Sequence, residues 1–142
     1  MSDDAALSAA PGVGMAFEPR TIGPLTRTDF VKYQGASGDF NPIHHDEPFA
    51  QAAGFPSVFS VGMLAAGAMG SYLTDHLGAQ NVRRLCVQFR DQVWPGDTLT
   101  LTAHVTRGYV EDAEHRVDLE VSCVRQTNSV ALSGTATFAA PL

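Results

Sequence analysis

The chain reads as an α+β domain in which one long, buried helix packs against an antiparallel sheet, and three observations predict this. Ser60–Leu77 is free of proline and carries Met63, Leu64, Met69, Tyr72, Leu73 and Leu77 among glycines and alanines. Apolar and small residues occur almost all round it, which marks a buried helix rather than an amphipathic one. From Asn81 onward the apolar period shortens to two, in four stretches. These hold Leu85, Val87 and Phe89; Leu99, Leu101, Ala103 and Val105; Val117, Leu119, Val121 and Cys123; and Val130–Phe138. Turn signals separate them at Trp94-Pro95-Gly96-Asp97, at Gly108 to Ala113 and at Gln126–Ser129. With no helix between consecutive strands the pairing must be antiparallel, with one face packed and the other partly polar.

The remaining elements follow in order. Residues 1–14 are small, polar and punctuated by Gly and Pro, and are expected to form a flexible tail ahead of a single domain over residues 15–142. Met15–Ile22 is expected to be a first strand, ended by Gly23-Pro24. Thr26 with Asp29 three residues on has the form of a helix N-cap. That helix should run through Phe30, Val31 and Tyr33 and stop near Gly35 or Gly38. Asp39–Pro48 holds two prolines and cannot be one regular helix. A short helical turn is expected around Phe49–Ala53, before Gly54-Phe55-Pro56. The Ser60–Leu77 helix, at ~1.5 Å per residue, is roughly 25 Å long and can cross a small sheet.

Composition narrows the function classes. A chain of 142 residues with 44% hydrophobic and 17% charged residues has enough core for one globular domain. Fifteen acids against nine bases give a net charge of −6, and only Arg83 and Arg84 are adjacent bases. A nucleic-acid partner is therefore not expected. There is neither a signal-peptide pattern nor an apolar stretch of membrane-spanning length, so no membrane partner and a cytoplasmic location are expected. Cys86 and Cys123 both fall inside apolar stretches and read as small hydrophobes rather than a disulfide.

The chemistry concentrates in Gly38-Asp39-Phe40-Asn41-Pro42-Ile43-His44-His45-Asp46. A carboxylate, a carboxamide and an imidazole fall within six residues, which are the groups needed to hold one water and move its protons. Asp, Asn and Pro are also ordinary turn formers, and on their own a turn explains them equally well. His44, His45 and Asp46 could suggest a metal site, but neighbouring side chains point apart and no further ligand pair has suitable spacing. His76, His104 and His115 read as solvated or structural. Phe40, Phe49, Phe55 and Phe59 could wall an acyl tunnel or be plain core. Trp94 reads as a turn anchor. Arg83, Arg84 and Arg90 could meet phosphates, or lie on a solvated strand face.

Taken together, Ser37-Gly38-Asp39-Phe40-Asn41-Pro42-Ile43-His44, then Gly62-Met63-Leu64, then Pro95-Gly96-Asp97 resemble the MaoC-like dehydratase family, the (R)-specific enoyl-thioester hydratase branch of the hot-dog fold. The resemblance runs from about Thr26 to Phe138. It implies an antiparallel sheet wrapped around a central helix, with a catalytic overhanging segment between the first strand and that helix. The activity implied is (R)-specific hydration of trans-2-enoyl thioesters, carried on coenzyme A or an acyl-carrier protein, or the reverse dehydration. Asp39 and His44 would form the catalytic dyad on one water, with Asn41 positioning it. The backbone N–H of Gly62 would receive the negative charge that grows on the thioester oxygen, as suits a helix N-terminus. Phe40, Pro42, Ser60, Val61 and Met63 would line the substrate site. No metal or other cofactor is implied, because the thioester carrier belongs to the substrate. The partners implied are the acyl thioester and a second subunit, in a homodimer or a heterodimer with a related hot-dog chain.

One position departs from the family pattern. Members often read His-Gly-Met where this chain reads Val61-Gly62-Met63. Val61 keeps open a second reading, a partner-dependent or non-catalytic subunit of a heterodimeric dehydratase. Another alternative is a hot-dog acyl-CoA thioesterase. Thioesterases of that fold usually carry a carboxylate on the central helix, and Ser60–Thr74 contains none. A thioester-binding module without chemistry is the last.

Overall fold

Thr26 begins the first helix as its sequence dictates. In the computed structural model, which describes residues 11–140, α1 spans Arg27–Ser37 behind a complete capping box. The Thr26 hydroxyl accepts from the Asp29 N–H at 3.2 Å, and the Thr26 N–H donates to Asp29 Oδ2 at 2.8 Å. Two N–H groups that a helix start leaves unpaired are thus satisfied. Thr26→Ala removes the acceptor and is expected to cost about 1 kcal/mol. Thermal unfolding should register it as a midpoint lower by about 4 °C. Gly38 closes the helix at φ 78°, in the left-handed region that favours glycine, and its N–H donates to the Gln34 carbonyl.

The first strand is shorter than expected. β1 is Arg20–Ile22 alone, paired antiparallel with the later strand Leu99–Glu111. Ahead of it, Phe17 N–H donates to Ala103 O and Met15 O accepts from Val105 N–H. The chain therefore follows the same neighbour in two pieces. Pro19, which has no N–H to donate, lies in the gap. Tyr72 uses that gap to donate to Glu18 O at 2.9 Å. Of the tail expected over residues 1–14, residues 1–10 lie outside the described residues. Gly14 N–H donates to Val105 O at 2.8 Å.

After α1 the chain makes one 3-10 turn at Pro42–His44 and a short helix α2, Glu47–Ala52. The Asp46 side chain caps α2 by accepting from Phe49 N–H, and an Arg27–Glu47 ion pair ties α2 back to α1. The long helix α3 is Gly62–Leu77, close to the expected span. Four strands then follow: β2 (Val82–Phe89), β3 (Leu99–Glu111), β4 (Glu114–Arg125) and β5 (Val130–Ala139). They form one five-stranded open antiparallel sheet in the order β1-β3-β4-β5-β2.

Register explains why the sheet has one packed face. Leu101 pairs with Cys123, which pairs with Leu132; Val105 pairs with Leu119, which pairs with Ala136. All six are buried, so the inward residues of three strands form continuous rows. Met69, Tyr72 and Leu73 of α3 are fully buried in the same cluster. Each such burial stabilises the fold by about 1.5–3 kcal/mol. β2 is less covered than its alternation predicts. Leu85 and Phe89 are 38% and 53% exposed, because β2 lies at the sheet edge with no strand beyond it among the described residues. Cys86 and Cys123 are both free thiols. Burial pushes the Cys123 thiol up to about 11, which leaves it protonated and inert.

Candidate active site

The segment Asp39–His45 has no strand ladder to hold it and depends on side-chain bonds. The Asn41 side chain accepts from Ile43 N–H at 3.1 Å, starting the 3-10 turn, while Asp39 Oδ1 accepts from Asn41 N–H at 3.2 Å. Pro42 takes the first position of that turn, where its missing N–H costs nothing. Phe40 is turned outward and is 66% exposed.

His44 is the buried member of the run. Its Nδ1 lies 2.7 Å from the Phe59 carbonyl oxygen, and its ring meets the Phe59 ring edge-on at 5.2 Å. A carbonyl only accepts, so Nδ1 carries the hydrogen and the neutral ring keeps its lone pair at Nε2. His45 turns elsewhere, with Nδ1 at 3.0 Å from Gln34 Oε1. The two imidazoles are thus committed to different partners. Among the described residues no group of three or more His, Cys, Asp or Glu is arranged to hold a metal ion.

Phe59 leads directly to the N-terminus of α3. A cleft of about 290 Å³ opens there, lined by Phe59, Ser60, Val61, Gly62, Ala65 and, across from them, Phe89–Val93 with Ala131. Its walls are mostly apolar, with Ser60, Arg90, Asp91 and Gln92 as the charged and polar exceptions. Val61 is buried and occupies the N-cap position of α3 without a side-chain cap bond. The first N–H groups of α3 are therefore not taken by a capping side chain, and they carry the positive end of a 16-residue helix. A Cβ on Gly62 would stand 3.1 Å from the Phe89 ring, so only glycine fits there without displacing that ring.

Ser60, Val61 and Gly62 are thus together in the cleft, and Ser60 is buried with its N–H bonded to Val93 O. Among the described residues the cleft wall does not include Asp39, Phe40, Asn41, Pro42, His44 or Met63. His44 reaches the wall through Phe59, while Met63 is 52% exposed.

A second set of polar groups braces the opposite wall. Asp97, the last residue of the Pro95-Gly96-Asp97 turn, is 4% exposed. Its carboxylate accepts from Trp94 N–H, from Arg125 Nε at 2.7 Å and from Gln126 Nε2 at 2.7 Å. Burial opposes ionisation of Asp97, but the Arg125 and Gln126 bonds outweigh it and hold the carboxyl below the usual range. Arg125 also donates to Asp91 at 2.8 Å, and so joins this turn to the cleft wall. Asp91, bonded first to Ser129 and then to Arg125, is likewise held low.

Sequence reasoning named neither Arg125 nor Gln34. Arg125 has partners 28 and 34 residues away in the chain, with no local signal. Gln34 follows Phe30 by one helical turn, and that shared buried face is a signal that could have found it.

Residues 8–129 match the profile of the family described as MaoC like domain. The chain belongs to the MaoC-like domain family. It is 32% identical over 120 residues to the (R)-specific enoyl-CoA hydratase of Rhodospirillum rubrum, covering 82% of this chain and 81% of that one. Two longer proteins match about half of the chain. The peroxisomal hydratase-dehydrogenase-epimerase of Saccharomyces cerevisiae is 37% identical over 78 residues, 55% of this chain and 8% of that protein. The 3-hydroxyacyl-thioester dehydratase Y of Mycobacterium tuberculosis is 39% identical over 79 residues, 53% of this chain and 27% of that protein. Among solved structures, the (R)-hydratase of A. caviae involved in PHA biosynthesis superposes with a TM-score of 0.79 at 23% identity, covering 92% of this chain and 97% of that one. A chain of the ChsH1-ChsH2 complex of Mycobacterium tuberculosis does so with a TM-score of 0.79 at 21% identity, covering 92% of this chain and 98% of that one. These likenesses show the fold: this MaoC-like chain has the hot-dog architecture, with the α1–α2 segment overhanging between β1 and α3.

Proposed function

We propose that this MaoC-like chain is a hydro-lyase that adds water to trans-2-enoyl thioesters to give (R)-3-hydroxyacyl thioesters, or removes it in the reverse direction. The observation that carries this reading is the anchored His44. Its Nδ1–H is spent on Phe59 O, its Nε2 is left to handle a proton, and the anchoring residue begins the wall that ends at Gly62. The relatives named as an enoyl-CoA hydratase and a hydroxyacyl-thioester dehydratase support the reaction class.

In the step proposed, the thioester carbonyl lies against the N–H of Gly62. Nε2 of His44 takes a proton from water, and the hydroxide bonds to C3. The electron pair moves through C2 to the thioester oxygen, where the helix terminus stabilises it. The imidazolium returns the proton to C2 as the carbonyl re-forms. Asp39 accepts the second hydrogen of the water and orients it; Asn41 holds Asp39's segment in its turn. All atoms of one water end in the product, so no oxidant or further reactant enters. Ser60 and Val61, in the cleft wall, meet the substrate, whereas Phe40, Pro42 and Met63 lie outside that wall. The carrier, coenzyme A or an acyl-carrier protein, belongs to the substrate.

The same reading makes the chain a dimer. β2 is a sheet edge with Val82, Leu85 and Phe89 exposed, and Phe89 and Arg90 at its end line the cleft. A second copy paired along β2 would cover both the edge and the cleft mouth.

Gly62→Ala tests the oxyanion assignment. The added Cβ meets only the ring of a half-exposed Phe89, so the unfolding midpoint should hardly move. Hydration is expected to fall about 10²-fold because the thioester is held off the N–H.

Val61 supports a second reading, in which a related partner supplies part of the site, as ChsH1 and ChsH2 form a complex of two different chains. The deciding assay uses the purified chain alone with crotonyl-CoA, following loss of enoyl absorbance together with free thiol. Hydration without thiol release supports the proposal. Thiol release without hydration identifies a thioesterase, and a folded chain silent on every enoyl length tried is a partner-dependent subunit or a thioester-binding module.

A further inference from the structure

Gln34 is 2% exposed, in the last turn of a helix whose other buried residue is Phe30. A carboxamide at such a position is unfavourable unless its hydrogen bonds are made. They are made, and all go to one place. Nε2 donates to Asp39 O at 2.8 Å and to Asn41 O at 3.0 Å, and Oε1 faces His45 Nδ1 at 3.0 Å. Both amide hydrogens are spent on carbonyls that can only accept, so the amide cannot be reversed. Its oxygen must face His45, and His45 Nδ1 must carry a hydrogen.

We propose that Gln34 is the positioning residue of the site, a clamp that fixes the Asp39–His45 segment to α1 from the inside. The carbonyls it grips belong to residues two apart, which face the same way in extended chain, and Phe40 between them is exposed. The grip spans the stretch between the helix cap at Gly38 and the 3-10 turn at Pro42. Gln34 therefore sets where the backbone of Asp39 lies without touching substrate. It acts on catalysis through Asp39 and, through the next residue, on the entry to His44. This role rests on the hydration reading for its kinetic readout, but not for its spectroscopic one.

The test compares the full-length wild type with Gln34→Met and Gln34→Glu. Methionine has nearly the same shape and no hydrogen bonds to offer. Glutamate keeps an acceptor for His45 but offers at most one hydrogen to the two carbonyls. Gln34→Met is expected to fold, to lower kcat for crotonyl-CoA about 10²-fold with KM little changed, and to release His45 from its single Nδ1–H form in imidazole nitrogen NMR. Gln34→Glu should lose kcat while His45 keeps that form. A folded Gln34→Met with wild-type kcat and an unchanged His45 signal overturns the clamp. If Gln34→Met does not fold, Gln34→Glu with full kcat overturns it and with low kcat supports it. Should the wild type itself show no hydration, the hydration reading fails. The His45 signal of Gln34→Met, or of Gln34→Glu if that variant alone folds, then still decides the clamp.

Discussion

Asp39→Asn is expected to lower kcat for crotonyl-CoA hydration by about 10²–10⁴-fold, the range that a positioned acid or base group contributes. The fold should be unaffected. Asp39 is exposed, and the oxygen that accepts from Asn41 N–H is retained in asparagine. His44→Ala is expected to fall as far in rate, but with a different physical signature. It strips the donor from the half-buried Phe59 carbonyl, and the lost hydrogen bond costs about 0.5–1.5 kcal/mol. Unfolding midpoints measured beside kcat separate the two effects. Because both groups act on one water, the double variant should lose little more than the worse single one. Additive losses would place the two residues in separate steps and contradict the dyad.

Asp97→Ala is the change with the largest expected effect on stability, about 3 kcal/mol in denaturant unfolding. It leaves the Arg125 guanidinium half-paired in a site that is nearly closed to water, and breaking such a pair costs more than forming it gains. It also strands the N–H of Trp94 and the amide of Gln126. Asp97→Ala combined with Arg125→Met removes both charges and should recover part of the loss. The pH dependence follows from the direction of the shift. The Asp97 carboxyl is held below its ordinary value in the folded chain, so its stabilisation is complete above the ordinary carboxylate range near ~4. It is lost as pH falls through the lower, folded value. Acid titration of the wild type should therefore show a stability loss that Asp97→Ala lacks. Since Arg125 also holds Asp91 at the cleft wall, KM should rise in the same variant.

The features that the sequence made legible are those decided by neighbours along the chain. The Thr26–Asp29 box, the glycine stop at Gly38, the break at Asp39–Pro48 and the period of two in β3 and β4 each rest on residues within a few positions of one another. The helix-on-sheet architecture follows from them. What was not legible depends on contacts made after folding. Pro19 divides the first strand, yet only the pairing with β3 reveals how. Phe89 alternates like a core residue, yet β2 is an edge and leaves it half bare. The site divides in the same way. Asp39, Asn41 and His44 are candidates that the sequence offers because they lie within six residues. Gln34 and Arg125, which hold the parts in place, have partners set by the tertiary fold, and the Phe59 carbonyl that fixes His44 is backbone and leaves no mark on composition.

The stereochemistry of the product separates (R)-specific hydration from its rivals in one measurement. Crotonyl-CoA is incubated with the purified chain and the configuration at C3 of the product is determined. (R)-3-Hydroxybutyryl-CoA with the thioester intact is the expected product. The (S) alcohol, or crotonate with free coenzyme A, would contradict (R)-specific hydration.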